Sequence, residues 1–175
     1  PHVLVEQLID GRHEFVIAPS WLERPPPGIE RRLLIPDALG VFCAGTHPLA
    51  QRGSLQGDAA QALRWISLGS ASPFDQEVRA MLAAAGVQQM RVDLTVLGEA
   101  FMLLDTLAQG QHLAVLPRFP VRRLAPRFGL VELALPLPTP ARPIYLWSRT
   151  STLEEPAMAA VSDLLLDVAT GLAQA

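Results

Sequence analysis

The fold of this chain is decided by one stretch of sequence, Leu107-Ala-Gln-Gly-Gln-His-Leu-Ala-Val-Leu-Pro117. It has the pattern of a helix end, a glycine, a short buried strand and a proline that closes the strand. Gly110 suits the helix end because glycine adopts the left-handed conformation without a side-chain clash. Residues 113–116 are all apolar, as expected for a strand covered on both faces. Ligands of such α/β units bind at the carboxyl ends of strands, so the stretch predicts a small-molecule cleft.

The segments before this stretch alternate between strand and helix. Residues 65–68 and 92–96 are predicted strands, and residues 73–85 and 98–109 are predicted helices. This alternation indicates parallel βαβ units. The other predicted elements are helices at 3–9, 55–63 and 154–172, strands at 15–17, 29–44 (broken at 36–37), 130–135 and 143–149, and a turn or short helix at 118–124.

Composition limits the classes of protein to which the chain can belong. Its 175 residues suffice for one domain or for two small lobes. Half of the residues are apolar and the formal net charge is −3, which indicates a globular chain without a nucleic-acid-binding surface. No apolar run approaches the roughly 20 residues that span a bilayer. The start does not resemble a signal peptide. We therefore expect no membrane partner and a cytoplasmic location.

Four segments resemble, in order and spacing, the signature elements of one protein family. The stretch quoted above is similar to its "aaGlGia-LP" element. Leu8-Ile-Asp-Gly-Arg-His-Glu-Phe-Val-Ile17 resembles "L-x-x-G-x-x-D-hydrophobic-x-I", with Glu14 in place of the usual aspartate. Thr46-His-Pro-Leu-Ala50 resembles an "hPLA" turn, and Arg64-Trp-Ile66, followed by residues 78–86, resembles "pwI … f…aG". The family is that of the effector-binding domains of LysR-type transcriptional regulators.

This resemblance implies an α/β chain with a two-lobed, periplasmic-binding-protein-like fold of type II and a ligand cleft between the lobes. Residues 1–38 and 141–175 would form the first lobe, and residues 39–140 the second. The family's domain opens with a strand, a helix and a strand before the element at Leu8. We therefore expect the first lobe to be incomplete at its N-terminus. The resemblance also implies a small-molecule effector, a homodimer or homotetramer, and DNA contact only through a missing N-terminal winged helix-turn-helix domain.

Candidate ligand-binding residues follow the predicted strands. Ser70 and Ser72 precede the helix at 73–85, whose unpaired N–H groups suit a carboxylate, although Ser72 alone would also serve as a helix cap. Glu99 opens the next helix, where the helix dipole favours an acid. It would either bind a cationic or hydroxylated effector or serve the helix only. Phe101 is expected to be a wall of the ligand site or a core residue.

Two further candidates, Arg118 and Phe119, follow the strand at 113–116 and therefore belong to the same predicted edge. Arg118 would hold a carboxylate in a bidentate pair, or would be a solvated arginine in the cluster of residues 122, 123 and 127. Trp21 takes the equivalent place in the first lobe, as a lid or as a cover of the core.

Catalytic and metal chemistry have little support in the sequence. It contains no Gly-x-Ser-x-Gly, phosphate loop or His-Glu-x-x-His motif. His47 has no evident catalytic partner, and His112 is expected at the surface. Cys43 is the single cysteine, which excludes an internal disulfide. We expect no catalytic residue, metal or cofactor. The expected function is that of an effector-sensing domain for a small organic acid; a solute-binding protein and an enzyme on this fold are the open alternatives.

Overall fold

The computed structural model describes residues 2–19, 24–55, 63–69, 75–97 and 99–174. The chain divides into two compact units. The first comprises Pro1–Asp37 with Arg142–Ala175, and the second comprises Ala38–Ala141. Each unit has its own sheet and its own apolar core. The second unit carries the stretch that decides the fold.

The second unit is built on a sheet with the strand order β5-β4-β6-β3-β7. β4 runs parallel to β5 and β6, whereas β3 runs antiparallel to β6 and β7. The predicted parallel βαβ units are therefore confirmed, since parallel neighbours require the crossover helices between them. The strands are β3 (Leu39–Ala44), β4 (Arg64–Ser67), β5 (Arg91–Thr95), β6 (Leu113–Pro117) and β7 (Leu130–Leu133).

Helices cover both faces of this sheet. They are α2 (Pro48–Arg52), α3 (Asp75–Ala84), α4 (Ala100–Ala108) and α5 (Arg118–Phe128). α3 packs Met81 and Leu82 into a core with Trp65 on one face. α4 packs Leu103 and Leu107 against Ile66 on the other. Burial on both faces explains the uniformly apolar sequence of the central strands.

The stretch quoted above folds as its sequence predicts, with one correction. Gly110 has φ +87°, and a Cβ there would approach Thr46 Oγ1 to 2.7 Å, so the position requires glycine. Leu113 to Leu116 are buried. The expectation that His112 lies at the surface is wrong: it is only 6% exposed. It immediately precedes β6, where Asp93 of β5 lies beside it.

The first unit has a three-stranded antiparallel sheet with the order β1-β8-β2. Val5 and Leu8 of α1 pack with Trp147, while Ala169 of α7 packs with Leu34 and Leu146. The elements are α1 (His2–Ile9), β1 (Phe15–Pro19), β2 (Ile29–Ile35), β8 (Ile144–Arg149), α6 (Thr150–Leu153) and α7 (Pro156–Gln174).

Several predicted elements differ from the structure. The single final helix at 154–172 is replaced by α6 and α7, which are separated before Pro156 because proline disfavours a helical residue ahead of it. The turn at 118–124 is the longer helix α5. α2 was not predicted as a helix, although His47 accepts the N–H of Leu49 as its N-cap and Pro48 opens it. Most of the predicted helix at 55–63 lies outside the described residues.

α7 is long and apolar enough, by length and composition, to cross a membrane, and most of it is exposed. It is not an unbroken apolar run, however, because Asp163 and Asp167 interrupt its apolar residues. Its contacts nevertheless tie it to the first-unit sheet. Arg32 of β2 binds Asp163 at 2.7 Å and the Ser162 hydroxyl at 2.9 Å, and Ala169 is buried.

Candidate functional site

The carboxyl ends of β4, β5 and β6 form one edge of the second-unit sheet, because these strands are parallel. Ligands of open α/β sheets bind at this edge. β4 ends at Ser67, β5 at Thr95 and β6 at Pro117. The predicted residues of the second unit follow these three ends in sequence. We describe this edge as the candidate site.

The turn after β4 lies against the turn after β5. The N–H of Gly69 donates to the Ser67 hydroxyl oxygen at 3.0 Å, and Gly69 has φ +88°. A Cβ on Gly69 would approach Leu97 Cδ2 to 2.7 Å, which shows how closely the turns approach. Three predicted ligand contacts, Ser70, Ser72 and Trp21, lie outside the described residues.

Glu99 and Phe101 are at the start of α4, beyond β5. Glu99 is exposed and is the N-cap residue of α4, but its side chain makes no capping hydrogen bond. Phe101 is 61% exposed, so it is not the core residue that was one of its two expected roles. Its ring lies 6.3 Å from that of Phe128, centroid to centroid. Glu99 and Phe101 are therefore both open to contact with a ligand.

Arg118 lies in a different environment from the one that the sequence suggested. Its Nε donates to Oε1 of Glu132 at 2.5 Å, and Arg122 Nε donates to Oε2 at 2.6 Å. Glu132 belongs to β7, and β3 separates β7 from β6, so the Arg118 side chain reaches away from β4 and β5. A carboxylate ligand would have to use the remaining guanidinium N–H groups. Its role in ligand binding stays a prediction.

Phe119 is half-buried beside Arg123, whose guanidinium carbon lies 5.7 Å from its ring centroid. The structure thus joins Arg118 to Glu132 and Phe101 to Phe128. Among the described residues, no hydrogen bond or ion pair joins Glu99 to Arg118. Glu99, Phe101, Arg118 and Phe119 follow the carboxyl ends of β5 and β6, but the described contacts do not link them into a single cluster.

Sequence reasoning missed a polar cluster at the opposite edge, where the parallel strands begin. Arg64 donates to the Asp93 carboxylate and to Gln111, and His112 Nε2 lies 3.7 Å from Asp93 Oδ2. Both ring nitrogens of buried His112 lack a hydrogen-bond partner among the described residues. These residues follow no sequence motif, because three separate segments supply them.

Burial and a hydrogen bond set the ionisation of this cluster. Burial lowers the pKa of His112, and the hydrogen bond from Arg64 holds the pKa of Asp93 below its ordinary value. Burial also lowers the pKa of His47, the N-cap residue of α2. On the neighbouring strand β3, burial raises the pKa of the Cys43 thiol to about 11, which leaves it unreactive. Within the described ranges, no group of His, Cys, Asp and Glu residues is arranged to hold a metal ion.

A family model, the LysR substrate binding domain, matches residues 1–170 of the chain. None of the curated protein sequences compared with it matches significantly. Among solved structures, the probable transcriptional regulator PA0477 from Pseudomonas aeruginosa is similar at 24% identity and a TM-score of 0.69. The match covers 92% of this chain but 51% of PA0477, so the chain spans about half of that protein's length.

Two ligand-bound structures are also similar. The effector binding domain of QuiR in complex with shikimate is 21% identical, with a TM-score of 0.72, covering 97% of this chain and 78% of that one. The regulatory domain of CcmR from Synechocystis PCC6803, in complex with 2-PG, is 18% identical, with a TM-score of 0.72, covering 95% and 78%. At these identities the likeness establishes the fold, and the α/β, type II periplasmic-binding-protein-like class is confirmed.

Proposed function

This chain belongs to the LysR substrate-binding domain family, and we propose that it is the effector-sensing domain of a LysR-type transcriptional regulator. The observation that carries the proposal is the family match over residues 1–170. A bound small molecule would favour one of two conformations, and its differential affinity for them would set the response. The response would reach DNA through a separate DNA-binding domain, and the protein would act in the cytoplasm.

The effector that we propose is a small organic acid. Support comes from the similar QuiR domain, which was solved with shikimate, and from the similar CcmR domain, which was solved with 2-PG. Arg118 directly follows β6 in sequence, and the guanidinium groups of Arg118 and Arg122 use their Nε atoms for Glu132. Their other N–H groups suit a further carboxylate, since a guanidinium has five donors.

The contact residues that we propose are those at the strand ends. Glu99 and Phe101 are supported by their exposure, and Phe119 by its place beside Arg118. Arg118 stays among the proposed contacts because its remaining guanidinium N–H groups suit a ligand carboxylate. The list is completed by the residues outside the described ranges: Ser70, Ser72 and Trp21. That the effector lies between the two lobes also stays a prediction of the family resemblance.

A ligand screen tests this proposal. We would follow the thermal unfolding of the chain with shikimate and a panel of other small carboxylic acids, because a ligand of the native state raises Tm by mass action. Phe101→Ala should weaken the binding of an active compound by about tenfold, which corresponds to a loss of roughly 1.4 kcal/mol in the free energy of binding. Met102→Ala is the matched control, because Met102 is also 61% exposed and adjoins Phe101.

The proposal fails if no compound in the panel raises Tm, or if both variants bind an active compound as the parent chain does. We also propose that the domain has no catalytic activity. His47 Nδ1 accepts the N–H of Leu49, and His112 has no hydrogen-bonded nucleophile among the described residues. Conversion of an active compound, followed by NMR, would contradict this part.

We further propose a homodimer or homotetramer. The family resemblance implies that the helices predicted at 3–9 and 73–85 make the contacts between subunits. α1 carries exposed Val3, Leu4 and Ile9, which supports its role. The apolar stripe of α3 instead packs Met81, Leu82 and nearby Ala85 into the core, so only its outer face could meet a partner.

A further inference from the structure

A cavity of about 120 Å³ lies between α3 and the second-unit sheet. Six of its nine described lining residues are apolar, and two polar side chains, Ser67 and Arg79, also line it. The principal apolar residues are Val78, Met90, Val92 and Val115. The proposed effector contacts Glu99, Phe101, Arg118 and Phe119 do not line it. A cavity that is largely apolar with a few polar groups is the usual form of a small-ligand site.

The fold explains why this space is open. Trp65 of β4 pairs with Val92 of β5, but Ile66 pairs with Leu94, so Asp93 is an extra residue in β5. Such a bulge bends its strand and increases the local twist. β5 is also the edge strand, and Val92 remains 44% exposed. The sheet is therefore distorted where Val92 lines the cavity.

The residues of α3, the helix above the cavity, differ in how deeply they are buried. Met81 and Leu82 of α3 are buried in the core with Trp65. Val78, one turn earlier, is only half-buried, as is Met90 just before β5. Methionine is unbranched and adapts its shape to a neighbouring group, so Met90 suits a wall that receives a small apolar ligand.

The polar residues indicate which end of a ligand would be charged. The Ser67 hydroxyl oxygen accepts from the N–H of Gly69, which leaves its own proton free to donate to a ligand. Arg79 already has an interaction within the chain, and a guanidinium has enough donors to bind a carboxylate as well. No acidic side chain is among the described residues that line the cavity.

We propose that this cavity, which lies at the carboxyl end of β4 and apart from Glu99, Phe101, Arg118 and Phe119, binds a short aliphatic carboxylic acid. Its branched hydrocarbon end packs among Val78, Met90 and Val115, and its carboxylate meets Ser67 and Arg79. The size agrees, because an apolar cavity of about 150 Å³ accepts benzene, so about 120 Å³ suits roughly five carbon atoms. The inference does not depend on the proposed function.

Methionine methyl NMR tests this site, with 3-methylbutanoate as the probe. The chain has four methionines, so a sample labelled with ¹³C at the methionine methyl groups is simple to assign. Met90 lines the cavity, whereas Met102, which is exposed, and Met158 of α7, which is half-buried, lie elsewhere. We expect the Met90 signal to move in a saturable way and the Met102 and Met158 signals to stay in place.

Two variants identify the cavity and the charged contact. Val78→Phe should fill the space and abolish the Met90 response, whereas Val161→Phe, at a 41% exposed position on α7, should preserve it. Arg79→Gln should weaken the probe about tenfold and should bring its affinity close to that of the neutral 3-methylbutanamide. Arg52→Gln, at an exposed arginine on α2, is the control and should change neither affinity.

The proposal is overturned if Met90 does not respond to millimolar probe, or if Met102 and Met158 move as much as Met90. It is also overturned if a folded Val78→Phe chain still responds. Folding of that variant is checked by the unchanged Met102 and Met158 signals. If Val78→Phe does not fold, Arg79→Gln decides, and equal binding of acid and amide to the parent chain then contradicts the carboxylate contact. Phe101→Ala should leave this binding unchanged.

Discussion

Arg118 Nε and Glu132 Oε1 are 2.5 Å apart and join the start of α5 to β7 across the intervening strand β3. Arg122 binds the other carboxylate oxygen at 2.6 Å. Glu132 is 16% exposed and is shared by the two arginines. The carboxylate therefore holds the first turn of α5 against the sheet and fixes the direction of an arginine that the sequence assigned to the ligand site.

Replacement of this carboxylate should loosen the start of α5. Glu132→Gln keeps the size of the side chain but removes its charge, so we expect a loss of about 2 kcal/mol in the free energy of unfolding, as for hydrogen bonds to charged groups. Urea denaturation measures it. Glu77→Gln, at an exposed residue of α3, is the control and should change it by less than about 0.5 kcal/mol.

Gly40 of β3 provides the space for the same pair. A Cβ at this position would lie 2.9 Å from Glu132 Oε1 and 3.1 Å from Arg118 Cγ. Gly40→Ala should therefore lower the free energy of unfolding by about 1–3 kcal/mol, the range for overpacking. Gly171→Ala in α7 meets no atom within 4 Å and should instead stabilise the chain by about 0.5–1 kcal/mol.

The double variant Gly40→Ala/Glu132→Ala separates this clash from a general effect of alanine in a strand. If the clash is with the carboxylate, the double variant loses less stability than the sum of its two single variants, because neighbouring sites are not additive. Strict additivity would contradict the stated role of Gly40.

Acid should destabilise the second unit through His112. Burial lowers its pKa below the ordinary 6.5 in the folded chain, so the unfolded chain binds more protons once the pH falls below that value. The free energy of unfolding should thus fall between about pH 7 and pH 5, where the neighbouring Asp93 stays ionised and Arg64 stays charged.

His112→Gln should make this decline shallower without abolishing it, because burial also lowers the pKa of His47. Urea denaturation at a series of pH values provides the slope. If the free energy of unfolding of the parent chain does not vary over this pH interval, then His112 is not the buried residue with a lowered pKa that is described above.

The purified chain should self-associate at micromolar concentration. An isologous two-fold contact is the commonest way to bury an exposed apolar surface such as Val3, Leu4 and Ile9 of α1. Sedimentation velocity gives the mass of the species in solution. Ile9→Asp should shift the distribution toward the monomer, whereas Asp10→Asn beside it should not; a parent chain that sediments only as a monomer would rule out the assembly.

The chain alone should not bind duplex DNA at moderate salt. Its formal net charge is −3, and protein–DNA affinity depends on the neutralisation of phosphates by basic side chains. α5 nevertheless carries four arginines, two of which, Arg118 and Arg122, pair with Glu132, so this helix provides the test of the expectation. A salt-dependent gel shift that Arg123→Gln weakens would overturn it.

The sequence by itself determined the parallel arrangement of β4, β5 and β6 and the edge at which they end. The relevant information is local: Gly110 permits the left-handed turn after α4, and residues 113–116 bury both faces of β6. The same local signals specify that Glu99 and Arg118 follow strand ends. The family resemblance then supplied the fold class, because the motifs and their order are properties of the sequence.

Only the tertiary structure decided which side chains meet at the edge where β4, β5 and β6 end, and which meet at the opposite edge, where these strands begin. Arg118 turns toward Glu132 because β7 returns antiparallel to β3, a pairing between residues distant in sequence. His112 is buried because Asp93 and Arg64 arrive from two other strands. The cavity beneath α3 lies beside a bulge in β5 that no sequence period records. Periodicity reports the face that a residue occupies, but contacts depend on how distant segments pair.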